Sequence, residues 1–242
     1  MPPTASPPTC ANYPSEKLTV SGGVAIFHLA TSRIVLCYHS RDHYYFLPKG
    51  RKNANESHYH AAEREGFEET GYRNRLLPLP FKHRQTKPDE GHVQFATEPI
   101  WMQLLPLSSS VQYLLFWYAA ETVPPEVEQS YTLSQTGTES GVAGRIYRPP
   151  PSFPADLTIK ERVRQDEIVD ISRTGEKYYE PKRHEGTGVD EEEALYRSSL
   201  VPIDEALRKL RGTVMEDVVR RAWGAIQLRI RMETEAESSR GG

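Results

Sequence analysis

The chain has 242 residues, 37% hydrophobic and 26% charged, which is enough apolar material for one sizeable α/β domain with extensions beside it. A formal net charge of -3 argues against a nucleic-acid coat or a protein held to membranes by charge, so phosphate recognition has to come from local basic patches. Two cysteines, Cys10 and Cys37, give no disulfide framework and point to a reducing compartment.

Residues 1–16 are rich in proline and lack the apolar core of a signal peptide, and they read as a disordered tail. No run approaches the roughly 18 apolar residues that cross a bilayer, so the expected setting is cytoplasmic, with the nucleus as the alternative. Leu18 to Leu29 and Ile34 to His39 read as strands joined by Ala30 to Arg33, both rich in β-branched residues, and Tyr44 to Leu47 as a third. Lys49 to Lys52 reads as a loop. Ser57 to Thr70 reads as a helix, capped by Ser57 and stopped by Gly71. Tyr72 to Leu79 reads as a strand, and Ile100 to Leu105 with Val111 to Ala120 as a hairpin. Glu121 to Arg197 departs from a compact pattern through its prolines, glycines and the acidic Glu191 to Glu193 run. We read about 122–197 as a partly disordered insertion, in which Ile159 to Val169 forms a short helix or strand and Glu176 to Arg183 mixes aromatic with basic residues. A closing helical pattern starts at Pro202 or Ile203, runs through Trp223, Ile226 and Ile230, and is open to division at Gly212. The domain therefore spans 17–232, and 233–242 reads as a second tail.

The chemistry concentrates between Gly50 and Tyr72, where the sequence reads G-x5-E-x7-R-E-x-x-E-E-x-G. On a helix Glu65, Glu68 and Glu69 project from one face within a single turn. Three converging carboxylates repel one another unless cations compensate them, and hard divalent ions with oxygen ligands are the natural partners. Arg64 stands beside the three acids, and Glu56, one loop upstream, is placed to pair with it. Lys49, Arg51 and Lys52 flank Gly50, where a missing side chain allows close approach, and Ser40 and Arg41 end the second strand. All five polar residues are candidates for binding substrate phosphates. His39, His43, His58, His60 and His83 show no HExxH spacing and are assigned no metal.

This pattern resembles the Nudix box, with Gly50, Glu56, Arg64, Glu65, Glu68, Glu69 and Gly71 at its seven fixed positions. The resemblance covers about Leu18 to Ala120 and, more loosely, Ser199 to Trp223. It implies an α/β/α sandwich with a mixed sheet and a pyrophosphohydrolase that uses Mg2+, or Mn2+, to cut a diphosphate linkage in a small anionic polyphosphate. By the same resemblance Glu68 is the general base, Glu65, Glu69, Glu68 and the Gly50 carbonyl are metal ligands, and Glu56, Arg64 and Gly71 hold the motif together. The Pro48 to Gly50 and Ser21 to Gly23 runs look most like the branch acting on diadenosine polyphosphates and diphosphoinositol polyphosphates. Gly66, where an aliphatic residue is usual, and Arg51, where many members of that branch have a second glycine, depart from it. Pro88 is similar to a feature of some ADP-ribose hydrolases. Cleavage of ADP-ribose, nucleotides or an RNA cap, with Tyr44, Tyr45 and Trp101 available for stacking, is the alternative chemistry. A Nudix-fold sensor or docking module without catalysis is the alternative class, and such a module is expected to lack one of the glutamates.

Overall fold

The computed structural model describes residues 5–86, 94–133, 147–168 and 177–240. Its eight strands form one mixed sheet. The strands are β1 (Leu18–His28), β2 (Arg33–His39), β3 (Tyr44–Phe46), β4 (Lys49–Arg51), β5 (Asn74–Leu76), β6 (Trp101–Pro106), β7 (Gln112–Thr122) and β8 (Tyr196–Pro202). The path runs β3-β2-β1-β7-β5, with β4 added to β1, β6 to β7 and β8 to β2. The central pair, β1 with β7, is parallel, and the other pairings are antiparallel.

Strand side chains alternate between faces, and this sorts the core into two layers. Ala25, Phe27, Ile34, Leu36, Leu115, Trp117 and Ala119 pack on one face against Ile203, Ala206, Leu210, Val218, Ala222 and Ile226. Those partners lie on α4 (Ile203–Lys209) and α5 (Val214–Arg240), two helices separated at Gly212, whose φ of 81° no helix accommodates. Val24, Ile26, Val35, Tyr118 and Ala120 line the opposite face with Ala62 of α1 (His58–Thr70). The expected α/β/α sandwich is the observed architecture.

Helix α1 starts and stops where its capping residues dictate. The Ser57 hydroxyl accepts the His60 backbone N–H, and Gly71, at φ 76°, returns its N–H to the Phe67 carbonyl. A side chain at Gly22 would collide with the His58 and Ala62 backbone, so the helix lies directly on β1.

Three local expectations change, and a fourth gains detail. Lys49–Arg51 is a strand rather than a loop, because Ser21 to Gly23 of β1 pairs with it residue for residue. The strand expected over Tyr72 to Leu79 shortens to Asn74–Leu76, with Pro78 unable to extend the ladder. Helix α5 continues to Arg240, held in its last third by buried Arg229, whose Nε donates to Glu233 at 2.6 Å. Within 122–197, α2 (Pro125–Leu133) forms, α3 (Ile159–Arg164) is the short helix or strand expected at Ile159, and Phe153 and Ile159 join the core. Thr158 and Glu161 cap α3 reciprocally, a T-x-x-E signal present in the sequence. A buried ion network then fixes α3 to the sheet. Glu121 of β7 pairs with Arg75 and Arg162 at 2.7 Å each, and Arg162 pairs with Asp166 at 2.9 Å. Pro88 and Glu176 lie outside the described residues.

Candidate active site

The glutamate face of α1 forms the floor of a cleft of about 990 Å³. One wall is β4 with the residues after it, Lys49 to Ala54. A second is the β6–β7 turn, Leu105 to Leu107, together with Tyr113. The third is a segment at the end of the insertion, Val189 to Glu193, followed by Tyr196.

Arg64 organises the floor. Its Nε and Nη2 donate to the two Glu56 oxygens at 2.9 Å each, its Nη1 donates to Glu65 at 2.8 Å and Glu68 at 2.6 Å, and Nη2 also donates to the Arg51 carbonyl at 2.8 Å. One guanidinium thus ties α1 to β4 and to the loop between them. Burial works against ionised Glu56, but the Arg64 hydrogen bonds and the Asn53 backbone N–H hold its carboxyl below the usual range.

The other acids move the opposite way. Burial pushes Glu65 up to about 7 against the pull of Arg64. Burial likewise pushes Glu69 up to about 8, although Lys49 opposes it through its charge and its backbone N–H, which donates to Glu69 Oε2 at 2.8 Å. Glu68 is raised by burial as well. A side chain at Gly50 would meet the Glu65 carboxylate and displace it from its present position.

Carboxylate oxygens of Glu65, Glu69 and Glu193 lie within 4.8 Å of one another. Glu193 is held at this point by the Val189 N–H, which donates to its Oε2 at 2.6 Å, while its own N–H donates to Asp190 at 2.9 Å. Glu68 sits one step aside, on a neighbouring depression of about 380 Å³ that shares Glu69, Asp190, Glu193 and Tyr196 with the cleft. Three oxygen donors, raised affinity for positive charge and the bare backbone at Gly50 fit a hard divalent cation such as Mg2+.

Of the expected phosphate contacts, Lys49, Arg51 and Lys52 line the cleft. Ser40 and Arg41 are not brought to it. The Ser40 hydroxyl donates to the Leu195 carbonyl at 2.8 Å, and Arg41 bonds Asp42 and Glu192. Tyr44, Tyr45 and Trp101 also stay away: Tyr44 stacks on His39, Tyr45 takes a hydrogen bond from Lys209, and Trp101 lies under Arg221. The aromatic residues that do line the cleft are Tyr113 and Tyr196. Lys177 to Arg183 serves elsewhere, with Glu180 paired to Arg33 and Arg183 Nε donating to Ser198.

His39, Asp42 and Glu192 form a second group with metal-like spacing. The Asp42 N–H donates to His39 Nδ1 at 3.0 Å, which leaves Nε2 carrying the proton toward Glu192 at 2.9 Å. Arg41 already supplies the cation to both acids there.

Sequence reasoning missed Glu192 and Glu193. Their only signal was an acidic run inside an apparent insertion, and nothing in its spacing ties it to the box.

Residues 20–130 match the NUDIX domain model. Similar solved structures include a NUDIX hydrolase from Nitrosomonas europaea, 15% identical over 86% of this chain and 90% of that one, TM-score 0.42. A NUDIX-family hydrolase from Clostridium perfringens is 14% identical over 88% and 97%, TM-score 0.40, and a C. elegans Ap4A hydrolase is 11% identical over 84% and 93%, TM-score 0.39. No curated protein matches the chain.

Proposed function

We propose that this chain, whose residues 20–130 match the NUDIX domain model, is a Nudix-type pyrophosphohydrolase acting on a diadenosine polyphosphate or diphosphoinositol polyphosphate. The observation that carries the reading is the Glu65, Glu69 and Glu193 cluster on the floor of a cleft with Lys49, Arg51 and Lys52 on one wall. A chain of several phosphates has more negative charge than one divalent cation neutralises, and three cations beside the floor answer that excess.

In this reading Glu65, Glu69 and Glu193 hold Mg2+, with Mn2+ as substitute and the Gly50 carbonyl and Glu68 as the further ligand candidates. A divalent cation bound there would neutralise the diphosphate and lower the pKa of an attacking water. Lys49, Arg51 and Lys52 orient the phosphates for in-line displacement. Glu68 takes the proton of the attacking water. Burial raises its carboxyl against the pull of Arg64, and Arg64 holds its side chain in place. Glu56 and Arg64 keep the β4–α1 connection rigid and Gly71 ends α1, so that the acids and the basic wall stay in register.

The test is hydrolysis of diadenosine polyphosphates, diphosphoinositol polyphosphates, ADP-ribose and capped RNA with Mg2+, run beside Glu68→Gln. The variant should lose about 10²–10⁴ in kcat with KM little changed. Unchanged turnover would remove Glu68 from the role of base, and a clear preference for ADP-ribose or capped RNA would overturn the substrate assignment.

A further inference from the structure

We propose that Glu192 is a latch: bound by His39 and Arg41 at the end of β2, it seats the Val189 to Glu193 segment so that Glu193 completes the carboxylate cluster on α1. This rests on the reading of that cluster as a cation site. Glu192 and Glu193 are neighbours in sequence but face different elements, because a single turn of 3-10 helix, Glu193–Leu195, begins between them. Glu193 joins Glu65 and Glu69, whereas Glu192 Oε1 accepts from His39 Nε2 at 2.9 Å and from Arg41 Nη2 at 3.1 Å.

Each end of the segment has its own anchor. Downstream, the Ser40 N–H and hydroxyl both donate to the Leu195 carbonyl, and His39 pairs with Tyr196 at the end of the β2–β8 ladder. Upstream, the Thr187 hydroxyl donates to the Glu68 carbonyl at 2.8 Å. Between them Glu192 provides the side-chain tie to β2. His39 is fully buried, and its Nε2 has its hydrogen-bond partner in Glu192, so release of the latch would strand a buried donor. The exposed Arg41 pair alone would hold weakly, and the buried histidine gives the latch its grip.

Loss of a negative charge near a cation site weakens binding by itself, so the experiment separates charge from position. Full-length protein is titrated with Mn2+ by calorimetry as wild type, Glu192→Gln and Glu192→Ala. Both variants lose the charge, but glutamine keeps an oxygen to accept the His39 proton. We expect Glu192→Ala to bind Mn2+ about tenfold more weakly, as an outer support of a metal ligand does, and Glu192→Gln to stay within about threefold of wild type. Amide exchange at Val189 and Glu193 should speed up in the alanine variant alone. Equal weakening in both variants, or no change in either, overturns the latch while leaving the cation site standing. A wild-type protein that takes up no Mn2+ overturns the cation reading and the latch with it. If Glu192→Ala does not fold, Glu192→Asp keeps the charge but draws the carboxylate back from His39 by one methylene; faster exchange at Val189 and Glu193 is expected, and unchanged exchange overturns the latch.

Discussion

A Cβ at Gly66 would stand 2.7 Å from Asn74 Nδ2 and 2.9 Å from Val24 Cγ1, so the departure from an aliphatic residue at this position has a packing cause. The Asn74 side chain fills the space, donating to the Glu63 and Tyr72 carbonyls at 3.0 and 3.3 Å and joining β5 to the helix. Glu63, one turn before, points to β5 as well and accepts the Leu76 N–H at 2.9 Å, which separates it from the acids of the cleft. Two effects compete in Gly66→Ala. Helix propensity favours alanine by up to about 1 kcal/mol, and the overpacked Asn74 amide and Val24 methyl cost about 1–3 kcal/mol. Overpacking wins: we expect a net loss of about 1–2 kcal/mol in urea unfolding, and a more stable variant would show that Asn74 can move aside.

At the scale of elements, α3 and β7 depend on each other through Glu121, which lies fully buried between Arg75 and Arg162. Glu121→Gln leaves buried Arg75 without its anion and Arg162 with Asp166 alone, and the expected cost is about 3–5 kcal/mol. Urea unfolding followed by circular dichroism measures it, and a loss under about 1 kcal/mol would mean that water reaches the network. This network also shows where sequence reading stops. The box acids are legible because helical periodicity alone brings Glu65, Glu68 and Glu69 to one face, and the caps at Ser57 and Gly71 are local chemistry. β1 and β2 are legible by their β-branched runs. Glu193 is not, because it reaches the same cluster through the β2–β8 register, set by a pairing more than 150 residues apart in sequence. Arg41 misleads for the same reason: its loop position suits a phosphate, but the partner that claims it, Glu192, comes from the far end of the insertion. The folded part of 122–197 is legible only at Ile159 to Val169, since its other ties to the domain, Phe153 in the core and the Arg162–Glu121 pair, are isolated long-range contacts with no periodicity to announce them.

For the whole molecule, Glu65 and Glu69 make metal-free stability depend on pH. Their folded values, about 7 and about 8, stand above the ordinary 4.5, so between these limits the folded state binds more protons than the unfolded chain. Stability then falls as pH rises. Their favourable contribution is complete below about 4.5 and is lost as pH passes through 7 and 8. A cation held there would remove the penalty by taking the place of the protons, and its uptake near pH 7 should release them. Thermal unfolding in EDTA should therefore show this component declining from pH 5 to pH 8.5, and Mg2+ should raise Tm most at the alkaline end. A Mg2+ effect of equal size at every pH would contradict the assignment of these two acids. No helix among the described residues is long and apolar enough to cross a membrane.

The parallel pair at the centre of the sheet also sets an order of events. Leu18 pairs with Gln112 and Phe27 with Glu121, so the two middle strands come together only after most of the first half of the chain has been gathered into one closed loop. Helix α1 lies within that loop and rests on both strands. Its capped turns are local, but its acids gain their burial against strands from both ends of that loop, and Glu193 joins them through the β2–β8 pairing. Contacts of such long range slow a folding reaction. The Glu65, Glu69 and Glu193 cluster thus depends on contacts of long range, and we expect it to assemble late in folding.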